Sequence, residues 1–212
     1  MRLRKVANAN EILHKNPDYV ILQPQAYKGK WKQYFNNNNP IHIEIGTGKG
    51  KFIHEMAEIF PNINFIGIEV VESVIIRAVQ RIKQNPLPNV ILLCVDAMLL
   101  NDVFEVNEVS RIYLNFSDPW PKNRHEKRRL TYKSFLEIYQ KILIAKGDIH
   151  FKTDNQKLFE YSLTSMSEAG MVFKNISLDL HNSNIAINVL TEYEERFSNL
   201  GMRIYRLEAN FK

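Results

Sequence analysis

The amino-acid sequence predicts an α/β protein whose core is a mostly parallel sheet of seven strands with helices on both faces. From residue 41 onward, apolar runs of strand length alternate with stretches in which apolar residues recur at helical spacing. Such alternation is typical of parallel sheets, because the chain needs a crossover helix to begin the next parallel strand. The strand-like runs are apolar almost throughout, as expected for strands buried on both faces.

The elements follow one another in a regular order. Strands are expected at residues 41–45, 64–69, 90–95, 111–116, 147–152, 172–180 and 202–211. Helices are expected at residues 50–59, 71–84, 132–145 and 156–169. The last helix precedes Gly170, a residue type that commonly ends helices. We divide the chain into a basic N-terminal arm, residues 1–40, and one α/β domain, residues 41–212.

Length and composition fit one soluble domain. The 212 residues suffice for one substantial core, and 45% hydrophobic with 24% charged residues is ordinary for globular proteins. No apolar run approaches membrane-spanning length, and the first residues lack the apolar core of a signal peptide. The single cysteine, Cys94, lies in an apolar strand and is not expected to act as a nucleophile. We therefore expect a cytoplasmic protein with no membrane partner.

Basic residues are clustered, which indicates a polyanionic partner. Residues 122–133 contain six lysines and arginines against one acid, Glu126. Further basic residues in the arm are Arg2, Arg4, Lys5, Lys28, Lys30 and Lys32. The six histidines show no metal-ligand spacing and no cysteine joins them, so we expect no metal site.

Five carboxylates lie at the expected carboxyl ends of strands. They are Glu44, Glu69, Asp96, Asp118 and Asp154. Ligands of such sheets bind in the crevice beyond these strand ends, so the five side chains are expected to share one pocket. That much negative charge is costly without a cation, so the pattern predicts a positively charged ligand.

A glycine-rich turn, residues 46–50, follows the first strand and precedes a helix. Its glycines permit a tight turn and a close approach of a ligand to the backbone. A dinucleotide-binding turn would need Gly or Ala where Lys51 stands, and the phosphate-binding loop pattern is also absent. A carboxylate after the second strand commonly accepts hydrogen bonds from ribose hydroxyls, which makes Glu69 a candidate ribose ligand.

The loop after the fourth strand combines an acid, an aromatic residue and a basic strip. Asp118 is followed by Pro119, Trp120 and Pro121, and the two prolines stiffen the backbone. A rigid acidic and aromatic pocket beside a basic strip suits an enzyme that modifies a base and grips a phosphate backbone. Trp120 is expected either to stack on that base or to brace the loop.

Together these motifs closely resemble the bacterial tRNA (guanine-N7)-methyltransferase family. The matching segments are Glu44-x-Gly-x-Gly-x-Gly50, Ser117-Asp-Pro-Trp-Pro-Lys-x-Arg-His-x-Lys-Arg-Arg-Leu130, Lys152-Thr-Asp154 and Thr191-Glu-Tyr-Glu194. The resemblance spans nearly the whole chain and implies a Rossmann-like class I methyltransferase fold. It also implies S-adenosyl-L-methionine as cofactor, tRNA as partner with guanosine 46 of the variable loop as target, and a monomer or homodimer.

The resemblance assigns a role to each candidate residue. The implied cofactor ligands are Glu44, Gly46, Gly48, Glu69, Asp96 and Asp118. Glu44 would lie near the methionine portion, Glu69 would bind the ribose, and Asp96 would meet the adenine amino group. Asp118, close to both cofactor and target, is the expected catalytic residue. The implied RNA and base ligands are Lys122, Arg124, His125, Lys127, Arg128, Arg129, Asp154, Thr191 and Glu194.

Three other functions compete with this interpretation. A methyltransferase acting on exocyclic amines uses Asn/Asp-Pro-Pro-aromatic loops, but Trp120 stands where the second proline would be expected. A small-molecule methyltransferase would leave the basic strip unexplained. A non-catalytic RNA-binding module would need the basic strip but not the five carboxylates.

Overall fold

The structure, a computed structural model, describes residues 6, 8–185 and 188–212. Three basic residues of the predicted arm, Arg2, Arg4 and Lys5, lie outside this description. The strands are β1 Val20–Ile21, β2 Ile41–Ile45, β3 Asn64–Glu69, β4 Val90–Cys94, β5 Val109–Asn115, β6 Leu143–Thr153, β7 Met171–Ser177 and β8 Tyr205–Phe211. The helices are α1 Ala9–His14, α2 Trp31–Tyr34, α3 Lys51–Ile59, α4 Glu72–Gln84, α5 Leu100–Val103, α6 Lys133–Ile142, α7 Gln156–Glu168 and α8 Glu192–Ser198.

The strands form one sheet in the order β1-β4-β3-β2-β5-β6-β8-β7. Pairs among β1 to β6 are parallel, whereas β8 runs antiparallel to both β6 and β7. The mostly parallel α/β fold is confirmed, with eight strands in the described part of the chain where seven were predicted. The additional strand is β1, which pairs with Leu92 and Leu93 at the sheet edge. Two residues are too few to produce a recognisable period in the sequence.

Hydrophobic side chains form two clusters, one on each face of the sheet. The cluster of α1, α3 and α4 includes Phe52 and Phe65, and the cluster of α5, α6 and α7 includes Phe135 and Ile66. Phe65 and Ile66 belong to different clusters because consecutive strand residues point to opposite faces. Burying each such side chain stabilises the fold by roughly 1.5–3 kcal/mol. The two clusters therefore hold the strands, and the residues at their ends, in fixed positions.

Part of the predicted N-terminal arm packs on this core. Trp31 is fully buried, and its indole nitrogen donates a hydrogen bond to the carbonyl oxygen of Val103 at 3.0 Å. The Tyr27 ring stacks on it with 5.4 Å between the ring centroids. Lys28 is tied down as well, because its Nζ donates to the carbonyl oxygen of Asn101 at 2.7 Å. These contacts attach residues 27–31 to the domain.

Candidate active site

Two cavities meet beyond the carboxyl ends of β2, β3, β4 and β5. The first cavity, of about 540 Å³, is lined by the acids Glu69, Asp96 and Asp118. The second cavity, of about 750 Å³, extends towards α8, and its wall includes Glu44, Thr191 and Tyr193. Three residues line both cavities: Gly46, Asn115 and Phe116. The structure therefore brings four of the five predicted strand-end carboxylates to one connected crevice.

Glu44 is the most deeply placed of these acids. It is buried at the end of β2, where its carboxylate accepts hydrogen bonds from Thr47 Oγ1 at 2.6 Å and Asn115 Nδ2 at 2.8 Å. Burial raises the pKa of Glu44 to about 7, although the two hydrogen bonds act in the opposite direction. A positively charged group nearby would lower the pKa of Glu44 and so favour its ionised form.

The glycine turn after β2 leaves open space for a ligand. Gly46 and Gly48 adopt positive φ angles of 78° and 60°. A Cβ atom built on Gly46 would meet no atom within 4 Å, and one on Gly48 would meet only the Gly46 carbonyl oxygen at 4.0 Å. The backbone is therefore accessible on this side, and only glycine adopts this geometry without strain.

Glu69 ends β3 and is fixed by backbone amides. Its Oε2 accepts from Gly48 N–H at 3.2 Å and its Oε1 from Val71 N–H at 3.0 Å. Burial raises the pKa of Glu69, and these hydrogen bonds partly offset the rise. Each carboxylate oxygen has two acceptor sites, so the hydroxyl pair of a ribose can still be accommodated.

Asp96 and Asp118 are exposed on the wall of the first cavity. Asp96 follows β4, and its Oδ1 accepts from the backbone N–H of Met98 at 2.8 Å, which fixes the start of the next turn. Asp118 follows β5 by three residues, in the predicted stiff loop. Exposed carboxylates at these positions can meet both a ligand in the cavity and a partner arriving from solvent.

The loop that carries Asp118 is braced by aromatic and cationic contacts. Trp120 has a positive φ of 41°, and its carbonyl oxygen accepts from Arg129 Nη2 at 3.2 Å. The Arg128 guanidinium lies 4.8 Å from the Trp120 ring centroid, and the His125 ring meets that ring edge-on at 5.7 Å. These contacts favour the bracing role for Trp120 over stacking on a base.

The basic strip divides into exposed and anchored members. Those exposed to solvent are Lys122, Arg124, Lys127 and Arg128. His125 and Arg129 are half-buried, and the Arg129 guanidinium lies 4.2 Å from the ring centroid of Tyr161. Lys122, Arg124 and Lys127 are accessible to a phosphate backbone, Arg128 packs on Trp120, and Arg129 joins the loop to α7.

Thr191 and Glu194 hold the start of α8 in place, and of the two only Thr191 lines the second cavity. Glu194 is fully buried, and its carboxylate pairs with Lys152 Nζ at 2.5 Å and accepts from Asn188 Nδ2 at 2.8 Å. Thr191 Oγ1 accepts from the backbone N–H of Glu194 at 2.9 Å and so caps the helix. Both residues therefore position the segment that forms the wall of the second cavity.

Asp154 lies after β6, beside the exposed ring of Tyr193. The phenol of Tyr193 donates a hydrogen bond to Asp154 Oδ2 at 3.0 Å. Burial and the Asp154 carboxylate together raise the pKa of Tyr193 to about 12. This contact links the end of β6 to α8, but Asp154 lines neither cavity and is the one predicted strand-end carboxylate that lies outside the crevice.

Asn115 and Tyr193 line the crevice but are not among the residues predicted from the sequence. Asn115 is buried at the end of β5, where its Nδ2 donates a hydrogen bond to Glu44 and its Oδ1 has no hydrogen-bond partner in the structure. A polar residue ending an apolar strand run was the available signal. Tyr193 stands within the quoted Thr-Glu-Tyr-Glu motif, but the motif alone does not reveal which of its side chains faces the cavity.

Among the described residues, no group of three or more His, Cys, Asp and Glu side chains is placed to hold a metal ion. No helix in that part of the chain combines the length and apolarity needed to cross a membrane.

The glycine turn after β2 and the acids after β3, β4 and β5, all open to one crevice, define an S-adenosylmethionine-dependent methyltransferase of class I. The fold is similar to the solved structure of an antibiotic-related methyltransferase, with a TM-score of 0.64 and 19% identity. That match covers 87% of this chain and 94% of the other. Residues 38–207 match the family described as "Putative methyltransferase".

The chain belongs to the tRNA (guanine-N7)-methyltransferase family. It is 58% identical over 211 residues to the tRNA (guanine-N(7)-)-methyltransferase of Geobacillus sp. (strain WCH70), covering 100% of this chain and 96% of the relative. It is 57% identical over 212 residues to the enzyme of that name from Bacillus subtilis (strain 168), with full coverage of both chains. The predicted family is confirmed.

Proposed function

We propose that this protein transfers the methyl group of S-adenosyl-L-methionine to N7 of a guanosine in tRNA, at position 46 of the variable loop. The observation that supports this most directly is the joined pair of cavities, with Asp118 and the basic strip at their rim. The family relationship supports the activity, and position 46 comes from the family resemblance. A tRNA substrate also favours a cytoplasmic location.

The residues of the crevice suit the cofactor. When bound, S-adenosylmethionine supplies a methyl group on a positively charged sulfur and also carries an ammonium group. Glu44 and the unpartnered Asn115 Oδ1 are acceptors for such positive groups, and the open glycine turn leaves space beside them. Glu69 would hold the ribose hydroxyls and Asp96 the adenine amino group. Asp118 would lie between the cofactor and the target base.

Guanine N7 needs alignment more than it needs a general base. Its lone pair lies in the ring plane and it has no proton to lose, so the protein gains rate chiefly by orienting the base. Asp118 lines the first cavity and Asp154 is hydrogen-bonded to Tyr193 on the wall of the second, and each would accept a hydrogen bond from guanine N1–H or N2–H₂. Because the ring acquires positive charge on methylation, the same carboxylates would stabilise the change.

The RNA must present the base outside a helix. N7 faces the deep, narrow major groove of A-form RNA, which side chains cannot enter. Taking the base out of its stack costs a few kcal/mol. Phosphate contacts from the exposed cations Lys122, Arg124, Lys127 and Arg128 would offset that cost and make binding salt-dependent.

Methyl transfer to unmodified tRNA tests the proposal. We expect labelled methyl to enter the tRNA and chemical cleavage at N7-methylguanosine to map it to one variable-loop guanosine. Asp118→Ala should lower kcat/KM by roughly 100- to 1,000-fold. The matched control, Asp102→Ala, removes an exposed carboxylate outside both cavities and should leave the rate unchanged.

Two results would overturn the proposal. Methyl incorporation without N7 cleavage would move the reaction to another atom, such as an exocyclic amine. Tight tRNA binding without any incorporation would indicate a non-catalytic RNA-binding module.

A further inference from the structure

Two cations hold the first residue of α8 against the glycine turn. Glu192 Oε2 pairs with Lys49 Nζ at 2.8 Å, and Glu192 Oε1 pairs with Arg81 Nη2. Lys49 belongs to the turn, and Arg81 lies near the end of α4. We call Lys49, Arg81 and Glu192 the clamp. It joins three segments that are far apart in the sequence.

Arg81 also fixes the backbone of the turn. Its Nε donates a hydrogen bond to the Lys49 carbonyl oxygen at 3.2 Å, so one guanidinium contacts both the turn and α8. Gly50, at a positive φ of 76°, packs on the same helix as Arg81, and a Cβ atom built there would lie 2.8 Å from Ala78 Cβ. The turn is therefore packed closely against α4 and tied to α8 through the clamp.

The clamp connects the space proposed for the cofactor with the segment beside the target base. Gly46 of the turn lines both cavities, and Gly48 and Lys49 line the second. The start of α8, with Thr191 and Glu192, forms another part of the wall of the second cavity. Because one carboxylate holds both segments, we expect the turn and α8 to become ordered together.

The clamp contributes to geometry more than to stability. Its side chains are 34–42% exposed, and ion pairs at such positions stabilise a fold by about 1 kcal/mol or less. Partial burial acts to raise the pKa of Glu192, but Lys49 and Arg81 outweigh it and hold that pKa below its usual value. The carboxylate is therefore ionised at neutral pH and keeps both pairs.

The glycines of the turn give a reason why ordering matters. Gly46, Gly48 and Gly50 all have positive φ angles, and glycine loses more backbone freedom on ordering than any other residue. A ligand that orders the turn bears this entropic cost, and a second ligand that needs the attached segment ordered then binds more tightly.

We propose that Glu192 is a positioning residue that couples the two sites: through the clamp, a cofactor bound at the glycine turn orders α8 and so strengthens the binding of tRNA. This inference rests on the proposed function and adds to it an order of events, in which the cofactor prepares the site for the RNA. By linkage, tRNA must strengthen cofactor binding by the same factor.

The test measures tRNA affinity with and without S-adenosylhomocysteine, the demethylated cofactor, which fills the site without reacting. We expect saturating S-adenosylhomocysteine to tighten the binding of unmodified tRNA to the wild type by about 5-fold, the lower end of the usual range for coupled sites. In Glu192→Gln this ratio should fall to about 1, while tRNA alone binds as it does to the wild type. At saturating cofactor, Glu192→Gln should raise the KM for tRNA by the same factor and leave kcat unchanged.

Hydrogen exchange provides a second measurement. S-adenosylhomocysteine should slow exchange of the α8 amides in the wild type but not in Glu192→Gln. Arg81→Met should lose the coupling as well, and the double variant should lose no more, because both substitutions break the same clamp. The matched control is Glu195→Gln, which removes a carboxylate that is 56% exposed on the same helix and should keep the wild-type ratio.

Three results decide the matter. A wild-type ratio in Glu192→Gln, or a ratio of 1 in the wild type, would overturn the proposal. Loss of the ratio in Glu195→Gln as well would also overturn it, by showing that any loss of charge on α8 has the same effect. Coupling in a wild-type protein that makes no N7-methylguanosine would support the clamp while the proposed reaction fails.

Discussion

Removing one partner of the buried pair Lys152 and Glu194 should strongly destabilise the protein. Lys152 is 5% exposed and Glu194 is 0% exposed. Lys152 Nζ contacts the Glu194 carboxylate at 2.5 Å and also donates to the Val189 carbonyl oxygen at 3.0 Å. Lys152→Met removes the ammonium partner of the buried Glu194 carboxylate and leaves it only Asn188 and, at 3.3 Å, His181 Nε2, and breaking a buried pair typically costs about 3–5 kcal/mol.

Urea unfolding followed by circular dichroism measures this loss directly, and the thermal midpoint provides a second measurement. For a chain of this size each kcal/mol corresponds to about 2–4 °C, so we expect a fall of roughly 6–20 °C. The control is Lys49→Met, which breaks an exposed pair with Glu192 at 2.8 Å and should cost less than about 1 kcal/mol. The double variant Lys152→Met with Glu194→Leu should recover part of the stability, because neither position of the pair then carries a charge.

A result in which Lys152→Met and Lys49→Met lose the same small amount would refute the reasoning. It would mean that water reaches the Glu194 carboxylate and replaces the ammonium group. Failure of the double variant to recover would instead assign the loss to packing of the lysine stem rather than to charge.

Two further predictions concern the titration of Glu44 and the contact of Arg124 with tRNA phosphates. The pKa of Glu44 rises from 4.5 to about 7 on folding. Protonation of this group therefore contributes roughly 3 kcal/mol to the free energy of unfolding at low pH. That contribution is complete below pH 4.5 and is lost as the pH rises through 7. Glu44→Gln should remove this pH dependence of the free energy of unfolding. If that free energy changed equally between pH 5 and 8 in the wild type and in Glu44→Gln, the prediction would be contradicted. Arg124→Ala should reduce the slope of log K for tRNA against log salt by about one, whereas Lys141→Ala on the outer face of α6 should not. Equal slopes for the two variants would exclude a phosphate contact at Arg124.

The sequence predicted the elements that have long, local patterns. Strands such as β2 and β3 are apolar runs with a turn at each end, and α4 has a clear apolar period, so each lies within a residue or two of its expected position. The short helices α1, α2, α5 and α8 were not predicted. Four to seven residues leave little periodicity, and long-range contacts such as the burial of Trp31 hold them in place.

The candidate site could be predicted as a set of residues but not as a geometry. Chain order along a parallel sheet places the carboxylates after β2, β3, β4 and β5 at one edge, so Glu44 and Asp118 could be grouped from sequence. The Thr191–Glu194 motif contains two acids that local pattern cannot distinguish. Glu192 is half-exposed and pairs with Arg81, while Glu194 turns inward to Lys152. That difference arises from where α8 docks, which only tertiary contacts decide.

The position of β8 in the sheet determines the order in which the sheet can be completed during synthesis. β7 is made before β8, yet within the described part of the chain it pairs with the rest of the sheet only through β8, which lies between β6 and β7. Until residues 205–211 leave the ribosome, the hydrogen-bonding edge of β6 has no strand beside it, and β7 has no place in the sheet. An unpaired edge of this kind can bind other chains, so the nascent protein is exposed to aggregation until β8 inserts.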